Sequence, residues 1–442
     1  MKITQHLNKI SWSVADKSTF VLYGIATVVM LQVTDSFELG IFTLFNNLHN
    51  FIMAIGGYLG LQSLLHFSAD ENEKPLINTY AIINLIIVIL LFNVLIFLFR
   101  EPIANILNEP NLITVFQAIT FLMLLTIPRY FSIYIMYREL KIFRLFITNI
   151  VYFGTMSGLI FYCVITSRFL TYIDIIYITY IGSGLSVIVG FILTFQYWKF
   201  SLKGATKYLE VVKFSLKYAV QGITLTLPKN LDVFAIQLFF GTHIVGLYAP
   251  AKTIFRFIDD AMNTVYSIIY TPTVKYFAAN DIFSLNKLIS KVISILMIFF
   301  TVITVICWFG GSDILEYFLP EKFILAIPFF NILLLSSILM PITLLCTTIS
   351  ASGKPELVSK FTLYSFIFWL ASFVVIGKYF QEYEKLVAVP NLIFVGVLSL
   401  FLFRYASKNF DLKFKQLFRS IPDFYNLLRK KVSEIYIQST NE

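Results

Sequence analysis

Lys252, Arg256, Asp259 and Asn263 recur at steps of four, three and four, so a helix through them carries two bases, an acid and an amide on one face. Such a stripe can hold an anionic group such as a phosphate, exchange a proton or small cation at its carboxylate, or form a buried ion-pair network with Asp260 that only ties helices together. Further charges stand in similar surroundings: Asp16 beside Lys17, Arg129 after Pro128, and Lys229 three residues before Asp232. Arginine suits bidentate phosphate contact, whereas lysine acts as a point charge. Asp16 with Lys17, and Lys229 with Asp232, could equally pair locally, while Arg129 has no acidic neighbour in its own stretch. No catalytic constellation accompanies these groups. Cys163, Cys307 and Cys346 sit in apolar stretches as small buried hydrophobes, with neither a disulfide framework nor a metal site implied.

The surroundings make these charges conspicuous, because 58% of the chain is hydrophobic and only 13% charged. That balance lies far outside the range of a soluble domain. Apolar stretches of about twenty residues, the length that crosses hydrocarbon, are centred on residues 10–33, 39–65, 77–99, 112–137, 145–166, 172–198, 216–240, 247–271, 289–309, 324–349, 361–380 and 386–403. They are continuous rather than alternating, which excludes a closed barrel. The first lacks the pattern of a cleaved signal and is expected to be retained. Lys and Arg collect at the N-terminus and in every second connection, leaving Arg100, Arg168, Lys322, Lys378 and Lys385 on the opposite side. The expected class is therefore an all-α integral membrane protein of about 12 transmembrane helices with both termini cytoplasmic. Its formal charge of +9 is mostly this topology signal and does not imply nucleic acid as a partner.

An internal repeat organises the spans. Leu39-Gly-Ile-Phe and Val245-Gly-Leu-Tyr lie 206 residues apart, each following a very short connection. Expected from this are a six-helix half over 1–198, a basic linker over 199–215, a second six-helix half over 216–405 and a basic amphipathic tail over 406–442. Transport sites in repeat-built proteins of this kind lie near mid-membrane at the repeat interface. The same offset places Asn46 opposite Lys252, Asn50 opposite Arg256 and Gly57 opposite Asn263, a neutral partial copy of the stripe. Pro128, Pro228, Pro250, Pro272, Pro328, Pro341 and Pro390 are candidate kinks. The 25 tyrosines could stack on sugar rings, anchor at the interface or pack.

No phosphate-binding loop of the G-x-x-x-x-G-K-[ST] type is present, which excludes primary ATP-driven transport by this chain alone. Short outer connections count against a membrane glycosyltransferase or polymerase. Taken together, the two halves, Leu231-Asp232, Val245-Gly-Leu-Tyr and the exit Tyr276-Phe277 resemble, over about residues 5–405, the oligosaccharide flippases and polysaccharide exporters of O-antigen type in the multidrug/oligosaccharidyl-lipid/polysaccharide (MOP) superfamily. The resemblance implies a multi-pass protein of the bacterial inner membrane that moves undecaprenyl pyrophosphate-linked oligosaccharide to the outer leaflet by alternating access. It implies a cationic cavity of Lys17, Arg129, Lys229, Lys252 and Arg256, to which the repeat adds Asn46, Asn50 and Asn263, with Asp232, Asp259, Asp260 and Asp16 as ion-coupling candidates. Asp260 beside Asp259 departs from a purely cationic lining. No cofactor is expected beyond a proton or sodium gradient or the membrane potential, and the implied partners are the lipid-linked sugar, membrane lipid and other polysaccharide assembly proteins. Two alternatives remain open: a cation-coupled multidrug or small-molecule antiporter of the same superfamily, which makes the carboxylates decisive, and a scaffold of an assembly complex, which makes the stripe dispensable.

Overall fold

A computed structural model of the chain describes residues 3–413 apart from Ala69, together with Lys415. Among the described residues every regular element is helical: α1 (Ile3–Met30), α2 (Ser36–Gly56), α3 (Gln62–His66), α4 (Lys74–Ile106), α5 (Leu112–Arg138), α6 (Ile142–Ile165), α7 (Tyr172–Thr194), α8 (Tyr208–Phe240), α9 (Thr242–Ala278), α10 (Ile282–Phe318), α11 (Ala326–Leu339), α12 (Leu344–Ala351), α13 (Pro355–Tyr379) and α14 (Val389–Phe410). A π-turn over Gly57–Leu61 joins α2 to α3, and a 3-10 turn over Met340–Thr343 joins α11 to α12, so these helices form twelve rods. Helices prevail because in hydrocarbon each backbone donor and acceptor must be paired within its own segment. Among the described residues nine segments are long and apolar enough to cross a membrane. The three long helices outside that set, α1, α8 and α9, are the ones that carry Asp16 and Lys17, Lys229 and Asp232, and the charged stripe. The chain is an all-helical multi-pass membrane protein.

The described residues divide into two compact units, one of residues 1–250 and 316–326, the other of residues 251–315 and 327–442. In the first, α1 packs on α6, α6 on α7, α7 on α5, and α2 on both α5 and α8, with the π-turn seated against α4 and α8. Their shared interior is apolar, with Phe45, Ile52, Leu85, Ile119, Phe131 and Ile135 fully buried. In the second, α13 packs along α14, and Trp369 donates its indole N–H to Asn391 across that pair at 3.0 Å. The first unit runs through α8 and the first turns of α9. The tail expected over 406–442 begins where α14 ends at Phe410, and beyond 415 it lies outside the described residues.

Gly241 alone connects α8 to α9, with φ of +81°, a left-handed value that favours glycine. The sequence reading put one of the two shortest connections here, around residues 241–243, and the structure narrows it to one residue. Immediately after it, the repeat becomes a physical contact. A Cβ at Gly40 would overlap the carbonyl of Thr242, and a Cβ at Gly246 would overlap the carbonyl of Ser36. The offset of 206 residues maps Ser36 onto Thr242 and Gly40 onto Gly246, so α2 and α9 cross reciprocally, each helix placing its glycine on the other's first turn. Ser36 and His243 meet there at 2.6 Å. The prolines act unevenly: Pro128, Pro228, Pro250 and Pro272 lie within continuous helices, whereas Pro341 coincides with the break between α11 and α12.

Candidate functional site

Arg129 sits mid-way along α5 and is only 5% exposed. Its Nη2 donates to Asn149 Oδ1 of α6 at 2.9 Å, and its Nε donates to Ser186 Oγ of α7 at 2.9 Å. Asn149 then donates its amide Nδ2 to Asp16 Oδ1 of α1 at 2.8 Å. One amide thus serves a cation with its oxygen and a carboxylate with its nitrogen, and four helices are joined by three hydrogen bonds. The guanidinium also lies 4.1 Å from the Tyr152 ring centroid and 5.6 Å from that of Tyr130, an attraction that strengthens away from water. Ser186 donates its own hydroxyl to the Thr148 carbonyl at 3.0 Å. Nearby, His49 of α2 lies 3.5 Å from the Thr126 hydroxyl, and both are buried. Arg129 lacks an acid on its own helix, as the sequence reading held, but Asp16 reaches it through Asn149 from 113 positions away.

Asn149, Ser186 and Tyr152 were missed in the sequence. The available signal was an amide and a hydroxyl set inside otherwise apolar stretches, where a polar group needs a partner.

The remaining candidates fall into open and closed classes. In the first unit Lys17 is exposed with its ammonium 5.6 Å from the Phe20 ring, and Asn50 donates to Asn46 at 3.2 Å on the open side of α2. Asp232 is buried and accepts from the Tyr248 hydroxyl at 3.0 Å, while Lys229, one turn earlier, is exposed. In the second unit Lys252 and Asp259 are half-buried, and Arg256, Asp260 and Asn263 are exposed. Arg256 Nε lies 3.9 Å from Asp260 Oδ2, with the two side chains 55% and 50% exposed. Arg256 reaches Asp260, one turn on, so the acid at 260 belongs to the chemistry of the stripe. Among the described residues no cluster of His, Cys, Asp and Glu could hold a metal ion.

Both ends of the first unit are tied. At the end away from the basic connections, Glu109 accepts from Thr242 at 2.5 Å, Thr34 donates to the Leu170 carbonyl at 3.0 Å, and Lys322 donates to the Thr34 carbonyl. Burial pulls the Lys322 ammonium below its ordinary pKa against the opposing pull of Asp35. At the basic end, Glu73 accepts from the backbone N–H groups of Ala205 and Thr206, and these bonds hold its carboxyl below the usual range. Glu139 accepts from Lys74 at 2.9 Å and Arg138 at 2.8 Å.

With this geometry in hand, the sequence was compared with known proteins. Over residues 30–328, more than half of the chain, it matches the family described as Polysaccharide biosynthesis protein. No curated protein matches it. Among solved structures, a MATE-family multidrug resistance transporter of the MOP superfamily in an inward-facing conformation shares 12% identity at a TM-score of 0.76, with 90% of this chain and 98% of that one covered. The lipid II flippase MurJ in an inward closed conformation shares 14% at 0.69, covering 95% and 93%. A MOP superfamily transporter from Pyrococcus furiosus shares 12% at 0.59, covering 91% and 94%. These likenesses establish the fold, which is that of MOP superfamily transporters.

Proposed function

The chain belongs to the polysaccharide biosynthesis protein family, and from that premise we propose that it is a flippase for undecaprenyl pyrophosphate-linked oligosaccharide, moving it from the inner to the outer leaflet by alternating access. The observation that carries this reading is the half-open pair of Arg256 and Asp260, with Lys252 and Asn263 on the same helix, near the middle of the 37-residue α9. A charge facing lipid at such a depth costs roughly 2.5–3.5 kcal/mol on insertion scales, so exposed charges there belong against water or a polar ligand. A pyrophosphate supplies that ligand: its oxygens replace water around Arg256 and Lys252, and the fixed bases offset the anion's desolvation. Asn263, on the same helix face, adds an amide to that anion site, while the isoprenoid tail stays in hydrocarbon. Arg129, closed in by Asn149 and Ser186, acts chiefly by fixing α1, α5, α6 and α7.

The drive is a proton or sodium gradient or the membrane potential, one charge across 100 mV being worth about 2.3 kcal/mol. Asp232, Asp259, Asp260 and Asp16 are the carboxylates suited to carry the coupled ion. The test is the amount of lipid-linked oligosaccharide on the inner leaflet of cells carrying Arg256→Ala, with the variant's abundance in the membrane measured alongside. Accumulation at normal abundance is the expected result. Intact surface glycan without accumulation would sink the reading, and organic-cation export that depends on Asp232, Asp259 or Asp260 would replace it with antiport.

A further inference from the structure

Between Arg129 and the basic end of the first unit, four rods bring six tyrosines together. Three come from α5, where Tyr130, Tyr134 and Tyr137 are spaced i, i+4, i+7 and share one face. Tyr152 of α6 joins them at the Arg129 guanidinium. Tyr58 comes from the π-turn of the second rod and Tyr218 from α8, their ring centroids 6.1 Å apart. The Tyr134 ring lies 6.4 Å from that of Tyr137, and its hydroxyl sits beside Gly57, the residue before Tyr58, which links the α5 tyrosines to the second rod.

Two glycines make room for it. A Cβ at Gly57 would come within 2.9 Å of the Tyr134 hydroxyl, and one at Gly222 would come within 2.6 Å of the Tyr58 ring. The π-turn itself is a second sign of construction: it departs from regular α-helical pairing, and such bulges concentrate at functional positions. Here it sets Tyr58 against Gly222. Phe214, stacked near Tyr218 at 6.2 Å, and His66, stacked on Phe214 at 4.0 Å, prolong the aromatic surface toward the end of α3.

Interfacial anchoring spreads tyrosines around the rim of a membrane protein, each facing headgroups. These six instead come from four rods, with Tyr58 facing Tyr218 across two of them and Tyr134 set edge-on to Tyr137 along α5, and two stay substantially open: Tyr137 at 43% and Tyr218 at 39% exposure. A phenol offers an apolar face together with a hydroxyl that donates and accepts. Phenylalanine would suit hydrocarbon equally well, so a cluster of phenols matches a ligand with apolar ring faces and many hydroxyls.

We propose that this tyrosine track is a carbohydrate-binding site that receives the sugar residues of the lipid-linked oligosaccharide. The proposal rests on the functional reading above and adds to it where the sugar binds.

The test is native mass spectrometry of the purified full-length protein with two probes, undecaprenyl pyrophosphate bearing the oligosaccharide extracted from the source cells and undecaprenyl pyrophosphate without sugar. Tyr137→Ala with Tyr218→Ala, both at open positions, should weaken binding of the sugar-bearing lipid about ten-fold and leave the sugar-free lipid within about two-fold. The matching Tyr→Phe pair should fall between, keeping the ring and losing the hydroxyl. Equal losses for both lipids would reduce the tyrosines to a packing role and overturn the proposal. So would wild-type protein that binds the two lipids equally, or alanine variants that bind as wild type does. Wild-type protein that binds neither lipid would instead remove the flippase reading, and the track with it.

Discussion

Arg129 and Arg256 are both mid-helix arginines in a membrane-spanning chain, yet one is enclosed and the other half-open. Arg129 gives two N–H groups to buried side chains on two other helices and reaches a buried carboxylate through Asn149. Arg256 lies 3.9 Å from an acid on its own helix, and both keep about half their surface open. The difference separates two uses of a costly charge. An enclosed charge fixes helices, because removing one partner strands the other in a low-dielectric interior, at about 3–5 kcal/mol. A half-open charge holds little together, since exposed pairs contribute about 0–1 kcal/mol, and its remaining hydration can be exchanged for a ligand.

Separating the two roles starts with the largest effect. Asp16→Ala should lower stability by about 3–5 kcal/mol or abolish folded protein, read by thermal unfolding of the detergent-purified chain. Asn149→Leu should act alike, and Asp16→Asn combined with Arg129→Gln should recover part of the loss. The contrast breaks if Arg129→Ala unfolds like wild type and fails only in transport. Next in size is the α2–α9 crossing, which tests whether the network alone stiffens the first unit: Gly246→Ala drives a methyl into the Ser36 carbonyl and should cost about 1–3 kcal/mol in the same unfolding measurement. Arg256→Ala should leave stability within about 1 kcal/mol while lowering transport in liposomes about ten-fold, equivalent to about 1.4 kcal/mol. Arg256→Lys, which keeps the charge but loses the fork, should retain more transport than the alanine variant. An unstable Arg256→Ala protein would place both arginines in the same class.

The spans were legible because twenty apolar residues in a row have few alternatives, and the three long helices outside the nine apolar spans, α1, α8 and α9, are all ones in which the sequence already showed charge. The partners of those charges were not legible. Helical periodicity orders residues along one helix and carries no information about Asn149 or Ser186 on others. Nor does it set burial: Lys229 and Asp232 differ by about 60° around the axis, since three residues turn about 300°, and one is exposed while the other is buried. The repeat revealed Gly40 and Gly246 as equivalent positions, but their reciprocal contact needed coordinates. Pro341 coincides with the break between α11 and α12, whereas at Pro128, Pro228, Pro250 and Pro272 the i−4 carbonyl is tolerated within a continuous helix. The π-turn at Gly57–Leu61 has no sequence signature beyond its paired glycines, and Tyr58 could not be assigned a direction without it.

Glu139, with its side chain 15% exposed, is intermediate in burial between Arg129 and Arg256 and supplies the smallest test. It lies at the basic end of α5, where burial pushes its pKa up, but the hydrogen bond from Lys74 and the charge of Arg138 outweigh burial and hold the carboxyl below the usual range. A carboxyl whose folded pKa is depressed contributes its full stabilisation above the unfolded value and loses it as pH falls through the folded one. The stability difference between wild type and Glu139→Gln should therefore be present at pH 7, under about 1 kcal/mol. It should shrink toward zero as the solution is acidified through and below the ordinary carboxylate range, in paired thermal unfolding series. A difference that persisted at the acid end would show that Glu139 holds Lys74 and Arg138 by shape and hydrogen bonding rather than by charge, which would move it into the class of Arg129.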